Sequence, residues 1–271
     1  MRKLLTSGAV AVGMLLASCT PANRVVENPL IGAANTMTLD FPKIELSDTA
    51  TVLHVDAYFR PHNWIRIDAG TYLLADGQKY MLQGSEGILP DSLFWMPDSG
   101  EASFVLKFGP LPRGTKSFDF IESDCDDCFK LYGVDLTGKK EYPRYPEGLP
   151  RALRKAPEDG PVPEPILAVG TTTVNVRLLG YRRGMVKEVA MYVNSLLNGQ
   201  EEHTAAIDPE SGTATLRFEQ YGTVMAYVSC GPVFGMCWIA PGETLDMYIA
   251  MEAVPHNHVK NSVVYPGTHD N

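Results

Sequence analysis

The chain has 271 residues, a formal net charge of −9 and five cysteines. This length is long for a single β-sandwich and sufficient for two small domains. An acidic surface repels the phosphate backbones of DNA and RNA, so nucleic-acid partners are excluded. Acidic charge also disfavours electrostatic docking on anionic lipid, so any link to a membrane should be covalent lipid and not a basic patch.

Residues 1–18 have the features of an export leader. Arg2 and Lys3 form a positive start, residues 4–16 are an apolar run too short to span a bilayer, and small residues follow. Residues 16–19, Leu-Ala-Ser-Cys, resemble a bacterial lipobox, where a peptidase cuts before the cysteine and a diacylglycerol is attached to its sulfur. We therefore expect Cys19 to anchor the protein in the cell envelope, in the outer membrane facing the periplasm. The alternative is an ordinary signal peptide with a chance cysteine.

Turn-forming and proline-rich stretches divide the rest of the chain. Residues 19–36 contain Pro, Gly and Asn and are predicted to be a flexible tether. Residues 138–165 are proline-rich and are predicted to be an extended linker with at most one helical turn near 149–154. Residues 254–271 form a polar tail.

Short apolar runs between turn residues are typical of antiparallel strands. In the first block they lie at 37–41, 51–59, 65–74, 79–82, 103–108, 117–122 and 128–136. In the second they lie at 172–179, 186–194, 202–207, 213–219, 224–230, 236–239 and 245–251. Residues 186–197 could also form a helical face, but the alternation of Val189, Met191 and Val193 favours a strand. We predict an all-β protein with two antiparallel, immunoglobulin-like β-sandwich domains at 37–137 and 166–253, joined by the linker.

Cys125 and Cys128 form a Cys-x-x-Cys pair that could in principle exchange disulfides. A reactive thiolate needs positive potential, whereas the acidic neighbours of this pair raise a thiol pKa. These neighbours are Glu122, Asp124, Asp126 and Asp127. We therefore predict a structural disulfide or two inert thiols rather than catalysis.

Cys230 and Cys237 flank six residues that could form a hairpin loop, which would place the two cysteines opposite each other on neighbouring strands. A second disulfide is the prediction. The alternative is a zinc site that joins the four cysteines left when Cys19 carries lipid, Cys125, Cys128, Cys230 and Cys237.

Other candidate sites are weaker. His256 and His258 could present two imidazoles to a metal, but they lie in a polar tail without a fixed third ligand. Four aromatic residues, Trp64, Trp95, Tyr58 and Phe94, could line a binding face, although such residues more often fill sandwich cores. The chain has no Gly-x-Ser-x-Gly, His-Glu-x-x-His or dinucleotide motif. We therefore expect no catalytic residues, cofactor or metal.

Residues 111–136 resemble the N-terminal region of Bacteroidetes-type envelope lipoproteins that end in a TlpA-like thioredoxin domain. The matching residues are Gly114, Thr115, Phe118, Asp119, Phe120, Ile121, Glu122, Phe129, Gly133, Val134 and Leu136. Residues 179–182, 192–194 and 239–244 are similar to the second β-sandwich of that region.

The resemblance implies a membrane-anchored, non-catalytic module of a thiol-disulfide oxidoreductase, which positions a redox domain or its client. In that family, disulfide reduction belongs to a Trp-Cys-x-x-Cys pair that this chain lacks, and Cys125 and Cys128 are not that pair. Its partner would be an envelope protein or a redox protein. The alternative is an independent binding lipoprotein that recognises a glycan, a peptide or an envelope partner. A third hypothesis is direct redox activity of Cys125 and Cys128.

Overall fold

The computed structural model describes residues 24–154, 164–195, 198–253 and 264–266. The predicted leader, Cys19, His256 and His258 lie outside these residues, as do parts of the linker and of the tail. Within the described residues the fold is all-β, as predicted, and the only helical segments are two 3₁₀ turns at Arg151–Arg154 and Met251–Ala253.

The first block contains eleven strands. They are β1 (Arg24–Glu27), β2 (Ala33–Ala34), β3 (Leu39–Leu46), β4 (Thr51–Tyr58), β5 (Trp64–Ile65), β6 (Tyr72–Ala75), β7 (Gln78–Glu86), β8 (Phe94–Trp95), β9 (Glu101–Phe108), β10 (Ser117–Ile121) and β11 (Lys130–Asp135). Nine of them form one sheet in the order β1-β3-β4-β9-β7-β6-β10-β11-β2. The strand β7 pairs with β6 through its first half and with β9 through its second half. It therefore joins the β1-β3-β4-β9 part of the sheet to the β6-β10-β11-β2 part.

The core of this block follows from strand alternation. Along β4 every second side chain is buried, beginning with Thr51 and ending with Ala57. Phe41 and Phe108 both pack edge-on against Phe120, with ring centroids 5.4 and 6.3 Å apart.

The predicted flexible tether at 19–36 is wrong for its described part. The strand β1 pairs with β3, and β2 pairs with β11. Val26, Ile31 and Ala34 are buried in the core, because this stretch carries enough apolar side chains to add strands to both ends of the sheet. The turn-forming residues between them suggested a spacer instead.

The described residues of the second block form eight strands in two four-stranded sheets. They are β12 (Leu167–Leu179), β13 (Glu188–Ser195), β14 (Gly199–Ala206), β15 (Thr213–Gly222), β16 (Val224–Cys230), β17 (Val233–Ile239), β18 (Thr244–Ala250) and β19 (Val264–Pro266). The sheet orders are β15-β12-β18-β19 and β14-β13-β16-β17. The strand predicted at 186–194 is therefore confirmed as β13. One pairing departs from the antiparallel prediction, because β12 and β18 run parallel.

The two blocks are in contact. Their buried apolar side chains form one continuous cluster. The segment before residue 155 packs on both blocks, since the Ile31 amide donates to the Tyr142 hydroxyl at 2.7 Å and Leu149 is buried with Leu179 and Ala250. The single helical turn expected near 149–154 is the 3₁₀ turn at Arg151–Arg154.

Candidate functional site

The structure joins Cys125 and Cys128 in a disulfide, with their Cα atoms 5.2 Å apart. Cys125 is exposed and Cys128 is buried, at the tip of the acidic hairpin between β10 and β11. The carboxylate of Glu122 is buried beneath this tip and accepts a 2.8 Å hydrogen bond from the Phe129 amide. Burial raises the pKa of Glu122 above its usual value, although the hydrogen bond from Phe129 opposes the shift.

The predicted disulfide between Cys230 and Cys237 is wrong. The hairpin turn has only two residues, Gly231 and Pro232, so Cys230 pairs with Val233. Gly231 has φ 55 and precedes proline, as in a type II′ turn, where glycine takes the first central position. Cys237 therefore lies opposite Ala226, four residues along the strand from Cys230.

Both of these cysteines are free and buried, and burial raises their pKa to about 12. Each is an inert core thiol. In the described part of the chain no group of three or more His, Cys, Asp or Glu side chains could hold a metal ion, so the alternative of a four-cysteine zinc site is also wrong.

A cleft of about 1380 Å³ lies between the two blocks, beside the disulfide hairpin. Lys187 crosses it, with Nζ 2.6 Å from Oδ1 of Asp126. The walls mix charges of both signs with backbone and apolar groups. The lining residues include Met37, Tyr58, Phe59, Arg60, Glu101, Asp127, Phe129 and Glu188. Tyr58, one of the four aromatic candidates, therefore lies at the cleft, half-buried.

The remaining aromatic candidates come together in a short two-stranded ribbon formed by β5 and β8. Trp64 lies directly opposite Trp95, and Ile65 lies opposite Phe94. The backbone amide of Met96 donates to the carbonyl of Asn63 at 2.8 Å, which makes the Trp64–Trp95 pair the non-hydrogen-bonded, closer type of cross-strand pair.

The two faces of this ribbon differ in burial. Ile65 is buried and Phe94 packs against the core, whereas Trp64 is 49% exposed and Trp95 is 61% exposed. Leu93, two residues before Trp95, is also exposed. Native surfaces seldom expose two large aromatic side chains side by side unless they bind something. We call this surface the Trp64–Trp95 face.

Polar groups border the Trp64–Trp95 face. Arg66 follows Trp64 by two residues and is exposed. On the other side, His62 adopts a left-handed backbone conformation (φ 59), and its Nε2 lies 3.5 Å from Oδ1 of Asp98. An exposed aromatic surface with hydrogen-bonding groups nearby can hold a ligand that has both an apolar and a polar side.

The sequence singled out Trp64 and Trp95 but not their pairing. Both lie outside the predicted strands, and residues 65–74 were predicted as one strand where the structure has a loop between β5 and β6. A strand pair of two residues leaves almost no periodic signal, so only the tertiary fold shows that the two rings are neighbours.

No helix among the described residues has the length and apolar character needed to cross a bilayer. The chain matches no protein-family model, no curated protein and no solved structure. The resemblance to TlpA-like lipoproteins therefore stays a hypothesis that rests on the residues quoted for it.

Proposed function

We propose that this protein is a non-catalytic, lipid-anchored envelope protein that binds a glycan through the Trp64–Trp95 face. The observation that carries the proposal is the exposure of two directly paired tryptophans on the outer side of the ribbon. The C–H face of a sugar ring packs on an indole ring, and its hydroxyl groups need hydrogen-bonding partners at the edge. Arg66 and His62 supply such partners on either side.

The disulfide supports a location outside the cytoplasm. Disulfides persist in oxidising compartments outside the cytoplasm, and the Cys125–Cys128 bond agrees with an export leader at residues 1–18. Labelling with a radioactive fatty acid tests the anchor. The wild-type chain should incorporate label and Cys19→Ser should not; incorporation that persists in Cys19→Ser would contradict it.

The position of the first strand favours a glycan over a membrane surface as the ligand. The strand β1 starts at Arg24, opposite Leu46 and near Thr51, whereas the Trp64–Trp95 face lies beyond Tyr58, at the other end of β4. From Thr51 to Tyr58 the strand β4 alone spans about 24 Å. The five residues from Cys19 to Arg24 reach about 18 Å at most. An anchor on Cys19 would therefore hold the opposite pole of this block near the lipid.

The test is glycan binding by the full chain carrying Cys19→Ser, which is free of lipid. Neutral and uronate-containing oligosaccharides are screened on an array, and hits are titrated by calorimetry. We expect Trp64→Ala and Trp95→Ala each to weaken binding roughly tenfold and the double variant to abolish it, since each removes one stacking surface. Leu167→Ala, which removes an exposed apolar side chain of the second block (Leu167 is 83% exposed), is the control and should bind as the parent does.

Two results would contradict the proposal. One is an unchanged affinity of the double variant for the glycans that the parent binds. The other is an array without a hit, together with vesicle binding that depends on the two tryptophans, because the face would then be a membrane contact.

A second candidate function is that of an accessory module for a thiol-disulfide oxidoreductase. It is favoured by the exposure of Cys125, which directly precedes the cleft-lining residues Asp126 and Asp127, so a redox partner could reach it. A thioredoxin-type reductase should then reduce this disulfide in the native protein. A reductase variant without its resolving cysteine should be trapped on the native protein as a mixed disulfide with Cys125, with Cys128 released as a thiol. Resistance of the native disulfide to such a reductase would remove this candidate.

A further inference from the structure

The outer face of β16 and β17 is apolar. Along both strands alternate residues face outward, and the outward set is five apolar or aromatic residues and one serine: Met225, Tyr227, Ser229, Phe234, Met236 and Trp238. Phe234 is 61% exposed and Met236 is 55% exposed. Tyr227 stacks on Phe234, with ring centroids 5.6 Å apart. Across the same sheet, β13 and β14 present polar groups instead, among them Asn194, Gln200 and Glu202.

The strand β17 is also an edge strand of this sheet. Natural edge strands are protected from pairing with other chains by charged residues, by proline or by shortness. Among the described edges, β1, β14 and β15 carry charged residues, whereas β2 has two residues and β19 has three with a proline. The strand β17 has seven residues and contains neither a charge nor a proline.

The edge of β17 has backbone groups available for pairing. The two-residue turn makes Cys230 and Val233 a hydrogen-bonded pair, so by alternation the amides and carbonyls of Phe234 and Met236 point away from β16. The strand β19 contacts Gly235 from the inner side, but it is hydrogen-bonded to β18 and not to β17. Within the described residues no strand pairs with this edge.

We propose that β17 pairs with β17 of a second copy of this chain, in antiparallel register about a two-fold axis at Met236. Such an axis brings the apolar halves of two sheets together and leaves the polar halves outside, as a self-complementary contact requires. Met236 then lies beside its counterpart, and Phe234 lies beside Trp238 of the other copy, an aromatic cross-strand pair.

The charge distribution favours a second copy of the chain as the partner of β17. The chain has a net charge of −9, so two copies repel each other over most of their surface. The strands β16 and β17 carry no charged residue at all, which makes them a surface where two acidic copies can approach without like charges in contact. Because the contact is one strand pair with its flanking side chains, the dimer is reversible.

The test is sedimentation equilibrium of the full chain carrying Cys19→Ser, from low to high micromolar concentration. The parent should show a concentration-dependent dimer. Met236→Lys should weaken association at least about tenfold, because the axis places two lysines directly opposite each other. Thr204→Lys introduces the same charge on the opposite edge of this sheet and should leave association unchanged.

Cross-linking tests the register. Under mild oxidation Met236→Cys should form a disulfide-linked dimer, since paired Cα atoms about 5.5 Å apart can be bridged. Thr204→Cys should stay monomeric on a non-reducing gel. A parent that sediments as a monomer at every concentration would overturn the proposal, and would point to another segment of the chain or a foreign strand at this edge. The proposal would also be overturned if the Met236→Lys variant dimerised as strongly as the parent and had the same thermal unfolding.

Discussion

The ammonium group of Lys130 donates a 2.9 Å hydrogen bond to the backbone carbonyl of Gly184, and so links the first block to the second. Lys130 is buried, at 6% exposure. The second polar link, from Lys187 to Asp126, is exposed on both sides. The two links thus join the same parts of the molecule in different surroundings, and this difference decides what each contributes.

Truncation of these two lysines should have unequal effects on stability. Lys130→Ala leaves the Gly184 carbonyl without its donor in a buried place and should reduce the free energy of unfolding by about 1–3 kcal/mol, independently of salt. Lys187→Ala should reduce it by less than about 1 kcal/mol, and this effect should vanish in high salt. Urea unfolding at low and high ionic strength measures both. Equal reductions in the free energy of unfolding for the two variants would contradict the difference expected between the buried and the exposed link.

Thiol labelling should separate the two pairs of cysteines. The native Cys19→Ser variant, which keeps only these four cysteines, should resist alkylation, because Cys230 and Cys237 are buried with raised pKa and the other pair is oxidised. After denaturation without reductant, mass spectrometry should find label on Cys230 and Cys237 alone. With reductant, Cys125 and Cys128 should be labelled as well. Protection of Cys230 and Cys237 in the denatured, unreduced protein would show that they are bonded after all.

Loss of the Cys125–Cys128 disulfide should affect stability modestly and create no enzyme. It closes a loop of only a few residues, so the chain-entropy estimate is about 2 kcal/mol. Urea unfolding of Cys125→Ser measures this loss. Acidic neighbours disfavour a reactive thiolate, so we expect the wild-type protein not to reduce insulin in the presence of a dithiol. Reduction of insulin by wild type, abolished in Cys125→Ser, would instead support direct redox activity.

Glu122 should make stability depend on pH. Its pKa is raised in the folded state by burial, so the folded protein holds this proton more tightly than the unfolded chain does. The resulting stabilisation is complete below the unfolded value of 4.5 and is lost as the pH rises through the folded pKa. The Glu122→Gln variant has no carboxyl to ionise and does not lose this stabilisation. The free energy of unfolding of the variant relative to wild type should therefore increase from acid to neutral pH.

Urea unfolding at a series of pH values measures the Glu122 effect. Glu101→Gln, at an exposed position, is the control and should follow the wild-type profile. Parallel profiles for Glu122→Gln and wild type across this range would show that the buried carboxyl is not the source.

Local patterns predicted the strands well and their partners poorly. Residues 224–230 were predicted as a strand and form β16 with the same bounds, because alternation and turn residues are properties of the local sequence. The partner of Cys237 depended on whether the hairpin turn had six residues or two, and a change in turn length moves every pair of the strand. The Trp64–Trp95 face depended on contacts between distant segments, which no local pattern contains.

The parallel pairing of β12 with β18 has a consequence for folding. Val174 lies beside Leu245, and the whole of β13 to β17 intervenes between them. A growing chain therefore leaves one edge of β12 without its strand partner until β18 has been made, since the central ladder of that sheet cannot close earlier. Folding of the second block should be slow and late, and the newly made chain should remain a substrate for holding chaperones until residue 250 has emerged.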